Sequence, residues 1–480
     1  MYDFKSINFF VVCVHRNSYY SNNYQSNYSN LKYIFMLSKL KRTLAPLVIL
    51  ISTAAFAQQS QQAMTLDQCI ATGLQRNYAL RSAAASVYSA EGSKLGAFGQ
   101  FLPNVSLSAG YSHNLNGHES FFTTPQGLAE ATYSYSASGS VTETLFNGFS
   151  NTAGYNESVE SYDAAEFNYE RIRQTTVYQI VQDYVAVEDA EQLMKAQEQN
   201  LAVGKDQLDQ VQAQYKVGTV PFASVLTQQT QTQNDEVTYI QSKNTWNTNR
   251  NNLVAFIGLD PVSEYMFDTT SLPTNITDLD QQVFRQKIGD IKAAADKALE
   301  LRPDVVSLHR TLESASSGVT VALSNYYPTL SGSFSYGWRN DAWADFGTLG
   351  TESIGLNLSI PIFDQFQATS SVQIADATYQ IDLSNYDQLV QQVRTQVKQA
   401  YYDLSTAEET LMATDIALKS ADENRRNALE SFKVGAGTEL QYLTAQSQWL
   451  TAASNRINAV YGYQQAQYEV EYMIGTLQSK

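Results

Sequence analysis

The sequence predicts an α+β membrane protein built as a tandem repeat, each copy giving two transmembrane β-strands and long coiled-coil helices. Three observations predict it. The chain repeats itself over roughly 200 residues. Each copy contains two segments of apolar–polar alternation, and each contains helical patterns longer than an ordinary core helix.

The repeat is read directly from matched residues. Leu145-Phe146-Asn147-Gly148-Phe149 lines up with Ile362-Phe363-Asp364-Gln365-Phe366 at an offset of 217. At the same offset Tyr184 meets Tyr401, Tyr215-Lys216-Val217-Gly218 meets Phe432-Lys433-Val434-Gly435, and Ile257-Gly258 meets Ile474-Gly475. Upstream, Phe101-Leu102-Pro103 matches Tyr326-Tyr327-Pro328 at an offset of 225, which places a longer loop in the first copy. The boundaries follow as 58–258 for the first repeat, 259–290 for a linker and 291–480 for the second repeat.

The strands come next. Val105, Leu107, Ala109 and Tyr111 alternate with Ser106, Ser108, Gly110 and Ser112; Tyr133, Tyr135, Ala137, Val141 and Leu145 alternate with serines and threonines. In the second copy Leu330, Phe334, Tyr336 and Trp338 alternate with Ser and Gly, and Ile354, Leu356, Leu358, Ile360 and Ile362 alternate with small or polar residues. Segments of about 10–15 residues suit tilted strands that cross a bilayer, whereas soluble strands run to about 5–6. Hairpins are therefore expected over about 104–146 and 329–363. Tyr133, Tyr135, Phe334, Tyr336, Trp338, Leu356 and Leu358 are expected on the lipid face, and Glu143 at its rim. The loops 113–130 and 339–350, with Phe121, Phe122, Trp343 and Phe346, read as outward tips.

The helices follow. Tyr386, Val390, Val393, Val397, Ala400, Leu404, Ala407 and Leu411 recur in steps of three and four, a coiled-coil seam; Val177, Ile180, Tyr184, Val187, Ala190 and Met194 form a looser one. The run 151–216 predicts a rod of about 100 Å at 1.5 Å per residue. Helices over about 66–99 and 221–257, stacked end to end, match it in length, with Pro221 in the first turn of the returning helix. Tip turns are expected at about 217–220 and 434–438. Four strands cannot close a barrel, and an open edge in lipid strands its backbone groups. The chain must oligomerise; two copies give eight strands and three give twelve.

Composition excludes other classes. With 31 Lys and Arg against 47 Asp and Glu, the formal charge is −16, so no nucleic acid is expected as partner. Two cysteines and four histidines leave little for a disulfide framework or a metal site. His113 and His118 lack ligand spacing, and His309 is a lone helical histidine. Val434-Gly435-Ala436-Gly437-Thr438 is followed by no Lys-Ser/Thr pair, so it is no phosphate loop. No active site, cofactor or catalytic residue is expected. Met36, the basic Lys39, Lys41 and Arg42, the apolar run Leu44–Ile51 and Ala55-Phe56-Ala57 form a signal peptide over 36–57. Residues 1–35 then read as a spurious upstream extension. Without 1–57, which holds six basic residues and one acid, the charge moves from −16 to −21. Cys69 reads as a small buried hydrophobe rather than a lipid-bearing first residue. A diffusion porin would need more strands and no such helices, and a trimeric adhesin one C-terminal strand cluster; an export conduit fits the duplicated order.

The tandem repeat, the Leu-Pro-x-Leu/Val-Ser entries to the hairpins, the Tyr/Phe-x-Val-Gly turns followed by Leu226 or Leu443, and Arg302-Pro303-Asp304 resemble those of the TolC-like outer-membrane efflux proteins. The resemblance covers about 66–478. It implies a homotrimer with a 12-stranded barrel in outer-membrane lipid continuing into a periplasmic helical tunnel. It also implies a periplasmic adaptor and an inner-membrane pump as partners. Adaptor docking would fall at Val217, Gly218, Thr219, Val220, Val434, Gly435, Ala436 and Gly437, and the periplasmic entrance at Glu439, Gln441 and Thr444. The best-known members carry aspartates where Gln441 and Thr444 stand, which argues against a cation-binding acidic ring here.

Overall fold

The computed structural model describes residues 63–113, 133–268 and 272–477. The presequence region, His118, Phe121 and Phe122 lie outside them. Among the described residues no helix is long and apolar enough to cross a membrane, and membrane-crossing capacity rests on the strands.

The first repeat begins with α1 (Leu66–Arg76) and α2 (Tyr78–Gly99). The single helix expected over 66–99 is broken at Asn77, whose side chain accepts from the Ala79 and Leu80 amides and donates to the Phe256 carbonyl at 2.9 Å. A residue able to cap a new helix while tying down a distant one ends the first helix and starts the second. Then come β1 (Asn104–His113), β2 (Tyr133–Asn147), α3 (Ser150–Lys216) and α4 (Phe222–Phe256). The segment between repeats contains a further helix, α5 (Asp278–Ile288), closed by a Thr277–Asp280 capping box. The second repeat contains α6 (Ile291–Leu301), α7 (Pro303–Leu323), β3 (Thr329–Asn340), β4 (Thr351–Ser359), α8 (Gln367–Lys433) and α9 (Glu439–Ile474). Apolar alternation continues to Ile362, but β4 stops at Ser359, ahead of Pro361, which has no N–H to offer a ladder.

The four strands form one antiparallel sheet in the order β1-β2-β3-β4. β2 and β4 each hand over to a long helix through two successive left-handed residues, Gly148-Phe149 (φ 64° and 70°) and Gln365-Phe366 (φ 57° and 66°). A left-handed L-residue costs about 1–2 kcal/mol. Edge-on ring pairs hold both junctions, Phe146 with Phe149 at 5.6 Å and Phe363 with Phe366 at 5.7 Å. Asn147 accepts from the Asn151 amide and Asp364 from the Ala368 amide, so the same cap opens both rods.

Two apolar cores sit partway along the rods. In one, Val177, Ile180, Tyr184 and Val187 of α3 pack with Cys69 and with Leu253 and Ile257 at the end of α4. In the other, Val393, Val397, Tyr401 and Leu404 of α8 pack with α6 and α9. The tyrosines occupy equivalent places: Tyr184 donates to the Asp268 carbonyl at 2.6 Å and Tyr401 to the Ile288 carbonyl at 2.8 Å. Gly258 ends the first return helix at φ 75°, and a Cβ there would stand 2.9 Å from the Arg76 carbonyl oxygen. Arg302, 2% exposed, pairs with Asp304 through two guanidinium nitrogens and donates to Gln396, tying α6 and α7 to α8. Arg171 approaches the same carboxylate at 3.4 Å, and the two guanidiniums hold Asp304 below the usual carboxylate range against its burial.

Beside the first core, burial pushes the Asp189 carboxyl up to about 6, and its Oδ1 has no hydrogen-bond partner among the described residues. Its folded-state value lies above the unfolded one, so stability is lost as pH rises from about 4 through about 6. Asp189→Asn should therefore stabilise the protein by about 1–2 kcal/mol at pH 7.5 and by almost nothing at pH 4. Thermal unfolding of variant against wild type at the two pH values checks this; a gain of equal size at both would assign the effect to packing.

Candidate functional site

The sheet segregates its two faces. Residues directly opposite across neighbouring strands share a face, and the register places Leu107 with Gly139 and Tyr336, Tyr111 with Tyr135 and Asn340, and Phe334 with Ile354 and Val141. All seven residues expected toward lipid lie on this one apolar face: Tyr133, Tyr135, Phe334, Tyr336, Trp338, Leu356 and Leu358. Leu356 is 74% exposed, whereas Trp338 is 2% exposed. The turn 341–350 folds back over the sheet, stacking Phe346 on Trp338 with ring centres 3.9 Å apart and setting Trp343 edge-on at 5.4 Å. Trp338 is thus covered by its own chain rather than open to lipid, and Trp343 and Phe346 point back from the outward tip where they were expected. Glu143 faces the same side as these apolar residues, opposite Gly332 and four residues from the end of β2.

The other face is almost wholly Ser, Thr and Gly. Hydroxyls pair across it: Ser106 with Ser140 at 2.8 Å, Ser108 with Ser138 at 2.7 Å, Ser112 with Ser134 at 2.9 Å and Ser335 with Ser353 at 2.7 Å. These pairs leave a smooth wall of short polar side chains. Alternation in the sequence made the face legible; the pairing depends on a register that local pattern does not fix.

At the opposite end of the rods stand the two tips. Gly218 and Gly435 adopt φ 76° and 75°, and the helix ends are closed by Thr219 N–H to the Gln214 carbonyl at 3.0 Å and Ala436 N–H to the Ser431 carbonyl at 2.8 Å. This closure is the left-handed helix stop that favours glycine. Val217 and Val434 are 75% and 76% exposed, Thr219 and Ala436 are exposed, and Val220 and Gly437 are half-buried. The two turns restart differently. Pro221 is the residue before α4 rather than its first helical residue, whereas Thr438 opens α9 with a capping box to Gln441.

The three residues expected at an entrance adjoin the second tip. Gln441 is engaged in the capping box, its Oε1 accepting from the Thr438 amide at 2.9 Å. Thr444 donates to the Leu440 carbonyl at 2.8 Å, and Glu439 is half-buried with Oε1 unpartnered among the described residues. A groove of about 670 Å³ between the ends of α8 and α9 is lined by Ser431, Ala436, Gly437, Gln441 and Thr444. Nothing in this arrangement resembles a nucleophile beside a base. Among the described residues no group of His, Cys, Asp or Glu is placed to hold a metal ion.

A sheet with one apolar and one small-polar face, continued by rods of 67 residues, defines a membrane-anchored conduit. Residues 70–259 and 294–476 match the outer membrane efflux protein family, well over half of the chain, and the chain belongs to that family. It is a non-enzymatic outer-membrane efflux channel of tripartite export systems, with a helical extension into the periplasm. The outer membrane protein TolC of Salmonella enteritidis is 25% identical over 447 residues, 91% of this chain and 87% of that one. The efflux protein BepC of Brucella suis is 22% identical over 424 residues, 86% of each. Among solved structures, the CmeC channel of Campylobacter jejuni matches with a TM-score of 0.73 at 19% identity, covering 86% of this chain and 85% of that one. VceC of Vibrio cholerae matches at 0.72 and 17%, covering 85% and 96%. TolC-family proteins form trimeric channels.

The capping box at the second tip generates a local prediction. Thr438→Ala should cost about 1 kcal/mol and speed amide exchange in the first turn of α9, leaving the strands unaffected. Hydrogen exchange resolved by residue checks it, and unchanged protection at Leu440–Tyr442 would deny the cap its role.

Proposed function

We propose that three copies of this chain close head to tail into a twelve-stranded barrel and helical tunnel. The assembly is a passive exit duct whose tips dock a periplasmic adaptor and, through it, an inner-membrane pump. The apolar face of the sheet meets outer-membrane lipid and the small-polar face lines the duct. Both edges, β1 and β4, are unpaired in the single chain, and their alternating directions let β4 of one copy meet β1 of the next as antiparallel neighbours. Hydrocarbon tolerates strands only when such edges are closed.

The observation that carries the reading is a vacancy in the repeat. Within the chain α7 lies between α8 and α3. Ser314 and Ser161 hydroxyls meet at 2.9 Å, Ser314 donates to the Glu157 carbonyl and Ser307 to the Ala164 carbonyl. The offset of 217 carries Glu157, Ser161 and Ala164 onto Ile374, Thr378 and Ile381 of α8, and the offset of 225 carries Ser314 onto Ser89 of α2. In the single chain that stripe is bare: Ile374 and Ile381 are 66% and 60% exposed, and Thr378 and Ser89 are exposed too. The contact made once inside the chain awaits its copy from a neighbour, with α2 of one protomer seated on α8 of the next. Because the two partners differ, the interface is heterologous, and a rotation of one third of a turn per copy closes it as a ring of three.

Cysteines at Ser89 and Thr378 in one chain should form an intermolecular disulfide under mild oxidation and give a covalent trimer on denaturing gels. Either cysteine alone should give none. A ladder that stops at dimers, or no bond at all, would overturn the ring geometry.

Adaptor docking is supported by exposure and shape. Six turns from three copies form the end of the duct farthest from the membrane, and Val217, Gly218, Val434 and Gly435 present apolar surface and bare backbone there. Reactive cysteines at Thr219 or Ala436 should capture the adaptor encoded with the system, whereas one at Thr351, beside the opposite turn, should not. Capture at Thr351 alone would place docking at the wrong end.

A further inference from the structure

Among the described strand residues, Arg339 is the one charged side chain on the small-polar face. The register puts it opposite Ser136, and its Nη2 donates to Ser134 Oγ at 3.2 Å. Its neighbours there are Ser112, Ser134, Ser136, Ser138, Gly337 and Thr351. Other ionisable side chains near this end, His113 and Glu352, lie on the apolar face, where His113 stacks on Tyr133 and Glu352 stands opposite Tyr336. The turn that carries Asp341 and Asp345 is folded over that same apolar face by Trp343 and Phe346. Among the described residues no carboxylate is paired with the guanidinium, whose one side-chain hydrogen bond is to Ser134.

We infer that Arg339 makes the outer mouth of the duct an anion-favouring filter, an inference that rests on the small-polar face lining the duct. β3 rises from the helical end, so position 339 is next to last before the outward turn. In a trimer three guanidiniums stand at one level, the outermost charges on this wall among the described strand residues. The rest of this face is uncharged Ser, Thr, Gly and Asn among the described strand residues, so the ring is the one fixed charge on a neutral wall. Rings of like charge set the ion preference of pores, and among the described residues the neighbours of these three on that face are short Ser, Thr and Gly side chains.

The field is tested by letting charged reagents cross it. Ser138 is exposed, lies on the same face opposite Gly337, and stands about 7 Å farther in than Arg339 at 3.3 Å per residue. Native Cys69 is fully buried and will not compete. On intact cells, Ser138→Cys should react faster with an anionic methanethiosulfonate than with a trimethylammonium one, after correction for their rates with free thiol. Arg339→Gln should lower that ratio about twofold near 0.1 M salt, and Arg339→Glu should lower it further. Arg339→Lys, which keeps the charge but not the guanidinium geometry, should preserve it. All differences should vanish near 1 M salt, where screening acts over about 3 Å. Leu356→Cys, on the apolar face, should resist both reagents. A reactive Ser138→Cys whose ratio ignores Arg339→Gln, with trimer yield intact, overturns the filter and leaves the face assignment standing. Protection of Ser138→Cys overturns the face assignment, and the filter with it.

Discussion

Backbone hydrogen bonding at the two edges of a four-stranded sheet is the constraint on which the rest depends. β1 and β4 each offer a row of amides and carbonyls that water would satisfy and hydrocarbon would not. A single chain cannot bury them, because order and direction leave the edges on opposite sides of its sheet. The long helices inherit this requirement. Whatever curvature closes the strands must continue below the membrane, so the rods have to pack side by side with the same periodicity. The strand-to-helix junctions carry the demand from one element to the other. Two left-handed residues, an Asn or Asp cap and an edge-on phenylalanine pair recur at both, fixing the direction in which each rod leaves its strand.

Much of the fold was legible because it rests on periodicity. Alternation revealed the strands, the three-and-four spacing of Val393, Val397, Ala400, Leu404 and Leu411 revealed the seam now found buried, and the matched pairs revealed the duplication. What escaped the sequence depends on contacts between distant segments. Asn77 looks like an ordinary polar residue within a helical run until its amide meets the Phe256 carbonyl. Trp338 has the phase of a lipid-facing residue, and only the return of the turn 341–350 covers it. Pro361 lies within the apolar alternation, but its missing N–H ends the ladder at Ser359, which the alternation alone does not show. Arg339 sits in phase with serines and glycines, but its place at the level of the outer mouth depends on the register of β2 against β3.

The two tips show what a duplicated chain can do that a single repeat cannot. Both end a long helix on a left-handed glycine, and both are stabilised by an aromatic pair, Tyr215 with Phe222 and Phe432 with Tyr442. They differ where the return helix begins: one restarts after a proline, the other from a Thr–Gln capping box. One tip therefore offers a backbone with fewer donors, the other a groove lined by Gln441 and Thr444. A partner touching both meets two kinds of surface in alternation.

The correspondence between the buried Ser161–Ser314 contact and the bare Thr378–Ser89 pair has a consequence for how such a chain can evolve. A shorter ancestor of one repeat would have closed on itself with identical joints, and any substitution at a joint would have struck every seam of the ring together. Duplication separates the joints into two populations. The covalent one, between α3 and α7, is held at high effective concentration by the intervening chain and tolerates weak or polar packing such as facing serines. In the proposed ring the other must recruit its partner from a second copy, and there Ile374 and Ile381 stand where the first repeat has Glu157 and Ala164. The more apolar stripe in the proposed ring is the one whose partner must arrive by diffusion.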